Sequence, residues 1–173
     1  MADDWILVDA PARSIFSVLA DPSQYEVFVV GNSQIRRFDP RWPQPGTRFH
    51  HLLGVKPLVV AGSSLSLATD YETYLVLETG MGILGATLTT FYLMETPDGT
   101  KLEVREEPWS GLVARFWSKA VDIALDRRNR LLLRRLKRLS EEQFTRERSV
   151  LPGPGSGEGG DPADQGTPAE PMA

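Results

Sequence analysis

His50 and His51 are the only histidines in the 173-residue chain, and there is no cysteine. Adjacent residues of a strand point to opposite faces, so the two imidazoles cannot grip one ion from the same side. Without thiolates, a metal site would need one histidine plus carboxylates, and no metal is expected. His51 alternates with Phe49 and Leu53, which places it on an apolar face and makes it the better cavity candidate of the two. There it would serve as a hydrogen-bonded core histidine, the commoner role, or as a general acid/base.

A second group with chemical potential is Glu106. It continues the row Leu102, Val104, Glu106, whereas Glu103, Arg105 and Glu107 occupy the other face. An inward carboxylate is costly unless paired, and Arg128, on the apolar stripe of a later helical pattern, is the expected partner. Such a pair would close a pocket mouth, orient a polar ligand group or, less commonly, leave Glu106 as a proton carrier. Tyr74 and Tyr92 could add hydroxyls to a pocket and Trp109 and Trp117 could wall it, although ordinary core or rim positions suit all four. Gly80-Met81-Gly82-Ile83-Leu84-Gly85 has the glycine spacing of a dinucleotide-binding loop, but that loop works only between a strand and a helix. Here β-branched and aromatic residues follow, Ala86 to Tyr92, so a glycine-rich hairpin is the reading. No nucleophile elbow and no phosphate loop occurs, and no cofactor is expected.

The elements that must position these groups are legible from turns and periodicity. Phe91 to Trp109 reads as two alternating strands joined at Pro97-Asp98-Gly99. Before it, Trp5–Val8 is a strand. A helix then starts at Asp9-Ala10-Pro11, shows Ile15, Phe16, Val18 and Leu19 on one face and is closed by Ala20-Asp21-Pro22. Ser23 to Val30 is a second short helix, and Gln34–Phe38 is a strand. Further strands are expected at Thr47–Leu53, Leu58–Ala68, Thr73–Thr79 and Leu84–Glu95. A helical pattern then runs from Gly111 to about Arg146. Its apolar stripe passes through Val113, Trp117, Ala120, Val121, Ala124, Leu131, Leu132 and Leu139, with Arg128 and Arg135 on the same face.

Composition sets the outer bounds. Residues 149–173 are rich in Gly, Pro and acid with almost nothing to bury, so they read as a disordered tail after a single domain, 1–148. The tail's four acids account for the net charge of -4, leaving the domain neutral. Within the domain, residues 115–148 hold 11 bases and five acids, against eight bases and 14 acids in residues 1–114. A basic helix lying on an acidic body explains this split without nucleic acid, whose usual motifs are missing. No membrane-spanning apolar run and no leader-like N-terminus occurs, so a cytoplasmic protein is expected.

Particular residues carry a family resemblance. Gly31-Asn32-Ser33-Gln34-Ile35-Arg36, then Trp42-Pro43 with Gly46-Thr47 and His50-His51, resemble the bacterial polyketide cyclase/dehydrase-like branch of the START-like superfamily, also called SRPBCC. Glu106-Glu107 and Arg128-Asn129 with Leu132 and Leu136 fit the same pattern. The resemblance spans residues 4–142. It implies an α+β helix-grip fold, a curved antiparallel sheet around a long C-terminal helix. It also implies that a hydrophobic small molecule, lipid- or polyketide-like, is bound between sheet and helix, for which His51, Tyr74, Tyr92, Glu106, Trp117 and Arg128 are the candidate binding residues. A cyclase/aromatase-type enzyme using His51 or Glu106 is the alternative, and an interaction module using the basic helix end is a third. Oligomeric state is left open.

Overall fold

The computed structural model describes residues 2–55, 57–82, 85–115 and 119–150. Strand β1 (Ala2–Val8) leads into α1 (Ala12–Leu19), a 3-10 turn (Pro22–Gln24) and α2 (Tyr25–Phe28). Six strands follow: β2 (Asn32–Phe38), β3 (Arg48–Val55), β4 (Leu58–Asp70), β5 (Tyr74–Gly80), β6 (Ala86–Thr96) and β7 (Gly99–Ser110). The described elements close with α3 (Gly111–Arg115) and α4 (Lys119–Val150). All seven strands form one antiparallel sheet in the order β1-β7-β6-β5-β4-β3-β2. This is the expected α+β helix-grip architecture.

Sequence parity dictates which side of each strand meets the helices. Leu75 and Leu77 of β5, Phe91 and Leu93 of β6, and Leu102 and Val104 of β7 are buried on the inner face. Register shifts between Ser66 and Ala68 and between Ala86 and Thr87 add irregular residues that bend the long strands. The sheet can thereby curl over α4, whose 32 residues span about 48 Å. The Gly80–Gly85 segment joins the antiparallel neighbours β5 and β6 as a hairpin connection, with strand rather than helix after it.

The buried face of α4 is rotated relative to the periodicity reading. Asn129, Leu132, Leu133, Leu136 and Ser140 are buried, whereas Leu131 is 40% exposed. The cause is that α4 packs on α1 and β1 as well as on the sheet's inner face, so burial follows two partners rather than one. Trp117 lies outside the described residues, as do the side chains of Val113, Ala120, Val121 and Ala124. Of the expected tail, 149–173, Ser149 and Val150 belong to α4, and the rest lies outside the described residues.

At the inner end of α1 an aromatic cluster fixes the short helices. Tyr25 packs against Phe28, Phe49 and Trp42. The Tyr25 hydroxyl and the Trp42 indole N–H both donate to the Leu19 carbonyl, at 2.9 and 3.1 Å. These bonds satisfy carbonyl lone pairs at the helix end that the helix itself leaves open.

Geometry requires glycine at position 99. Gly99 in the β6–β7 turn has φ +123°, and a Cβ there would lie 2.2 Å from the Val8 carbonyl oxygen. Backbone cannot yield as a flexible side chain does, so Gly99→Ala is expected to destabilise the domain by more than about 2 kcal/mol. Urea unfolding of the variant checks this, and an unchanged midpoint would contradict it.

Candidate ligand-binding cavity

Between the sheet's inner face and α4 lies a cavity of about 310 Å³. Its walls follow strand parity: Phe49, His51 and Leu53 on β3, Ser64 on β4, Leu77 and Thr79 on β5, and Thr87, Thr89 and Phe91 on β6. Glu106 of β7, Arg128 and Leu132 of α4, and the α2–β2 connection from Val29 to Asn32 close it. Most of this lining is apolar, and its charged and hydrogen-bonded groups form two sets beside the hydroxyls of Thr87 and Thr89.

The first set is an ion pair. Nη1 of Arg128 donates to both Glu106 carboxylate oxygens, at 3.0 and 2.7 Å. Its Nε donates to the Val30 carbonyl at 3.3 Å. Glu106 is only 4% exposed, and Thr89 lies directly opposite it in the β6–β7 register. The parity of β7 sends the carboxylate inward, and the guanidinium is the group that makes its burial tolerable. The same hydrogen bonds tie α4 to β7 and to the α2–β2 connection.

The second set centres on His51, which is 3% exposed. Its Nε2 lies 3.3 Å from the Ser64 hydroxyl, which in turn lies 2.9 Å from the Thr79 hydroxyl. Its ring packs on Phe49. Burial, helped by the nearby charge of His50, pulls the His51 pKa down to about 4, so the imidazole is neutral at physiological pH. Nδ1 of His51 and Oδ1 of Asn32 are buried without a hydrogen-bond partner among the described residues. Asn129, fully buried beside Arg128, is in the same condition.

The structure therefore brings His51, Glu106 and Arg128 to one cavity. Tyr74 and Tyr92 are elsewhere: they pair with each other across β5 and β6, on the sheet face away from α4. Their inward neighbours Leu75 and Phe91 take the cavity side, and Tyr92 is half-exposed with the Arg105 guanidinium 5.3 Å from its ring centre. Their expected place in the pocket is thus corrected by strand parity. Tyr25 is the tyrosine that does line the cavity, but its hydroxyl is committed to Leu19. The hydroxyl residues Ser64, Thr79, Thr87 and Thr89 were missed by a reading that favoured aromatics and charges. The alternation Leu77-x-Thr79 and Thr87-x-Thr89-x-Phe91 carries the signal that finds most of them.

Two measurements test this geometry. Glu106→Gln and Arg128→Met are each expected to destabilise the domain by roughly 3 kcal/mol, because each strands its partner, while the double variant recovers much of the loss. A double-mutant cycle with no coupling would contradict the pair. For His51 the native pKa lies below the ordinary 6.5, so the unfolded chain takes up the proton first as pH falls. The stability this group contributes is complete above about pH 6.5 and declines between there and about pH 4, by at most about 3 kcal/mol. His51→Leu should flatten that part of the urea-unfolding pH profile, and an unchanged slope would rule the account out.

No protein-family model and no curated protein matches the sequence, but solved structures match the fold. A protein from Chromobacterium violaceum superposes with TM-score 0.62 at 17% identity, covering 80% of this chain and 96% of that one. A protein of unknown function from Staphylococcus aureus gives TM-score 0.64 at 11% identity, covering 83% and 94%. The di-domain ARO/CYC StfQ from the steffimycin biosynthetic pathway gives TM-score 0.58 at 13% identity, covering 86% of this chain and 51% of that one. With the seven-stranded antiparallel sheet and the long C-terminal helix, these likenesses show that the chain shares the helix-grip fold of these structures.

Proposed function

We propose that the protein binds a hydrophobic small molecule, lipid- or polyketide-like, in the cavity between sheet and α4, and carries or sequesters it. The observation that carries this reading is the cavity itself: about 310 Å³, largely apolar, with few polar groups. That volume is at the lower end of the range for small-molecule sites. The polar groups present are suited to orientation rather than to proton transfer. Glu106 is held on both oxygens by Arg128, and neutral His51 is tied to Ser64. No tyrosine hydroxyl joins them among the described residues.

A cyclase/aromatase-type reaction is the second reading, favoured by the likeness to StfQ and by the presence of His51 on the cavity wall. In it, the cavity would fold a reactive chain and His51 would shuttle a proton. Its pKa of about 4 makes it a weak base at neutral pH, which is why binding is preferred.

Native mass spectrometry of the purified full-length chain, with organic extraction, tests the binding reading alongside displacement of anilinonaphthalene sulfonate by 2-naphthol. A co-purifying apolar adduct or saturable displacement is expected. Thr89→Phe, which fills the cavity opposite Glu106, should weaken probe binding at least tenfold without lowering the melting temperature. Probe binding that survives this substitution unchanged would place the ligand elsewhere. A wild-type protein that takes up neither adduct nor probe would overturn the reading.

A further inference from the structure

We propose that the outward face of α4 from Ile123 to Arg138, with Val27 of α2 beside it, is a docking surface for an anionic phospholipid bilayer. The inference rests on this face alone and stands whatever the cavity holds. Residues 127–138, RRNRLLLRRLKR, contain six arginines, one lysine and no acid. At 3.6 residues per turn, Ile123, Arg127, Leu131, Arg134 and Arg138 fall in one stripe about 22 Å long. That stripe lies opposite the buried row of Asn129, Leu133 and Leu136.

The neighbouring charges leave this stripe positive. Arg128 is answered by Glu106, Arg130 by Asp4 and Lys137 by Glu141. Arg138 lies 3.7 Å from Glu142 in an exposed pair, the kind that contributes little. Arg127 and Arg134 form no ion pair among the described residues. Glu26 of α2 is exposed nearby, but its carboxylate accepts the Ile35 backbone N–H.

Apolar side chains sit among these cations. Ile123 is 56% exposed and Leu131 40%, and Val27 is comparably open. A groove of about 440 Å³ runs between Val27, Leu131, Arg134, Arg135 and Arg138. Arg135 bridges it by donating to the Val27 carbonyl at 3.3 Å. Aliphatic groups flanked by arginines suit the boundary of a bilayer, where the apolar tips enter the acyl region and the guanidiniums meet phosphates. A single-stranded nucleic acid would call for stacking aromatics, and the stripe has none; duplex phosphates would use the arginines but not the exposed aliphatic tips. Two residues beyond Val27, the chain becomes cavity wall at Val29 and Val30, so docking would hold that side of the cavity at the membrane.

Sedimentation of the full-length chain with large vesicles tests the proposal. Partition onto phosphatidylcholine–phosphatidylglycerol vesicles is expected, weakening as salt is raised and falling at least tenfold on phosphatidylcholine alone. The triple variant Arg127→Gln, Arg134→Gln, Arg138→Gln should lose about a hundredfold, near fivefold per arginine. Leu131→Ser should lose several-fold with the same salt dependence. Circular dichroism melts of these surface variants, expected to match wild type, confirm that each is folded. Absence of partition, equal partition on both vesicle types, or an unaffected triple variant would overturn the proposal. So would retention on duplex DNA with none on vesicles.

Discussion

A carboxylate turned toward an apolar interior is the constraint around which the rest of the molecule is arranged. Strand parity in β7 gives Glu106 no other direction, because Leu102 and Val104 before it must be buried. Once inward, its charge has to be answered, and Arg128 answers it from α4 with two short hydrogen bonds. That single contact sets the height of the helix over the sheet at this point and reaches the α2–β2 connection through Val30. Sheet and helix are thereby held apart near the pair, and the space beside it is the cavity. An ion pair of this kind is weak as net stabilisation, since desolvation offsets most of the attraction. Its structural value is specificity of position.

The remaining polar groups of the cavity are short hydroxyls and one neutral imidazole. The relay His51–Ser64–Thr79 crosses β3, β4 and β5 on the inner face, and its members are neighbours through strand pairing rather than through sequence. Such a surface can accept or donate hydrogen bonds without presenting a charge. It favours a ligand that is mostly apolar with a modest polar function. The sheet's other face differs in kind: Trp5, Tyr92 and Met94 are exposed there, and the cation–π contacts of Lys101 and Arg105 cover part of the rings.

Much of the architecture was legible because a meander repeats one simple rule. Turn residues such as Pro97-Asp98-Gly99 punctuate runs of period two, and parity alone assigned Glu106 and His51 to the inner face. The same rule, applied to Tyr74 and Tyr92, puts them opposite Leu75 and Phe91. Aromatic character had outweighed parity in nominating them, and their burial depends on which neighbours are larger and more apolar. The phase of α4 was less legible, since its buried row Leu132, Leu133, Leu136 reflects contact with α1 and β1 together. Ser64, Thr79 and Asn32 were not legible as a group, because the register that assembles them is set by pairing between strands distant in sequence.

The most direct test of the central claim, that an apolar ligand occupies the space between sheet and α4, is a methyl-resolved NMR titration with 2-naphthol. Saturable shifts are predicted at the methyl groups of Val29, Leu53, Leu77 and Leu132, which line the cavity, with Met94 on the opposite face unmoved. Shifts confined to Met94 and its exposed neighbours, or none at all, would contradict it.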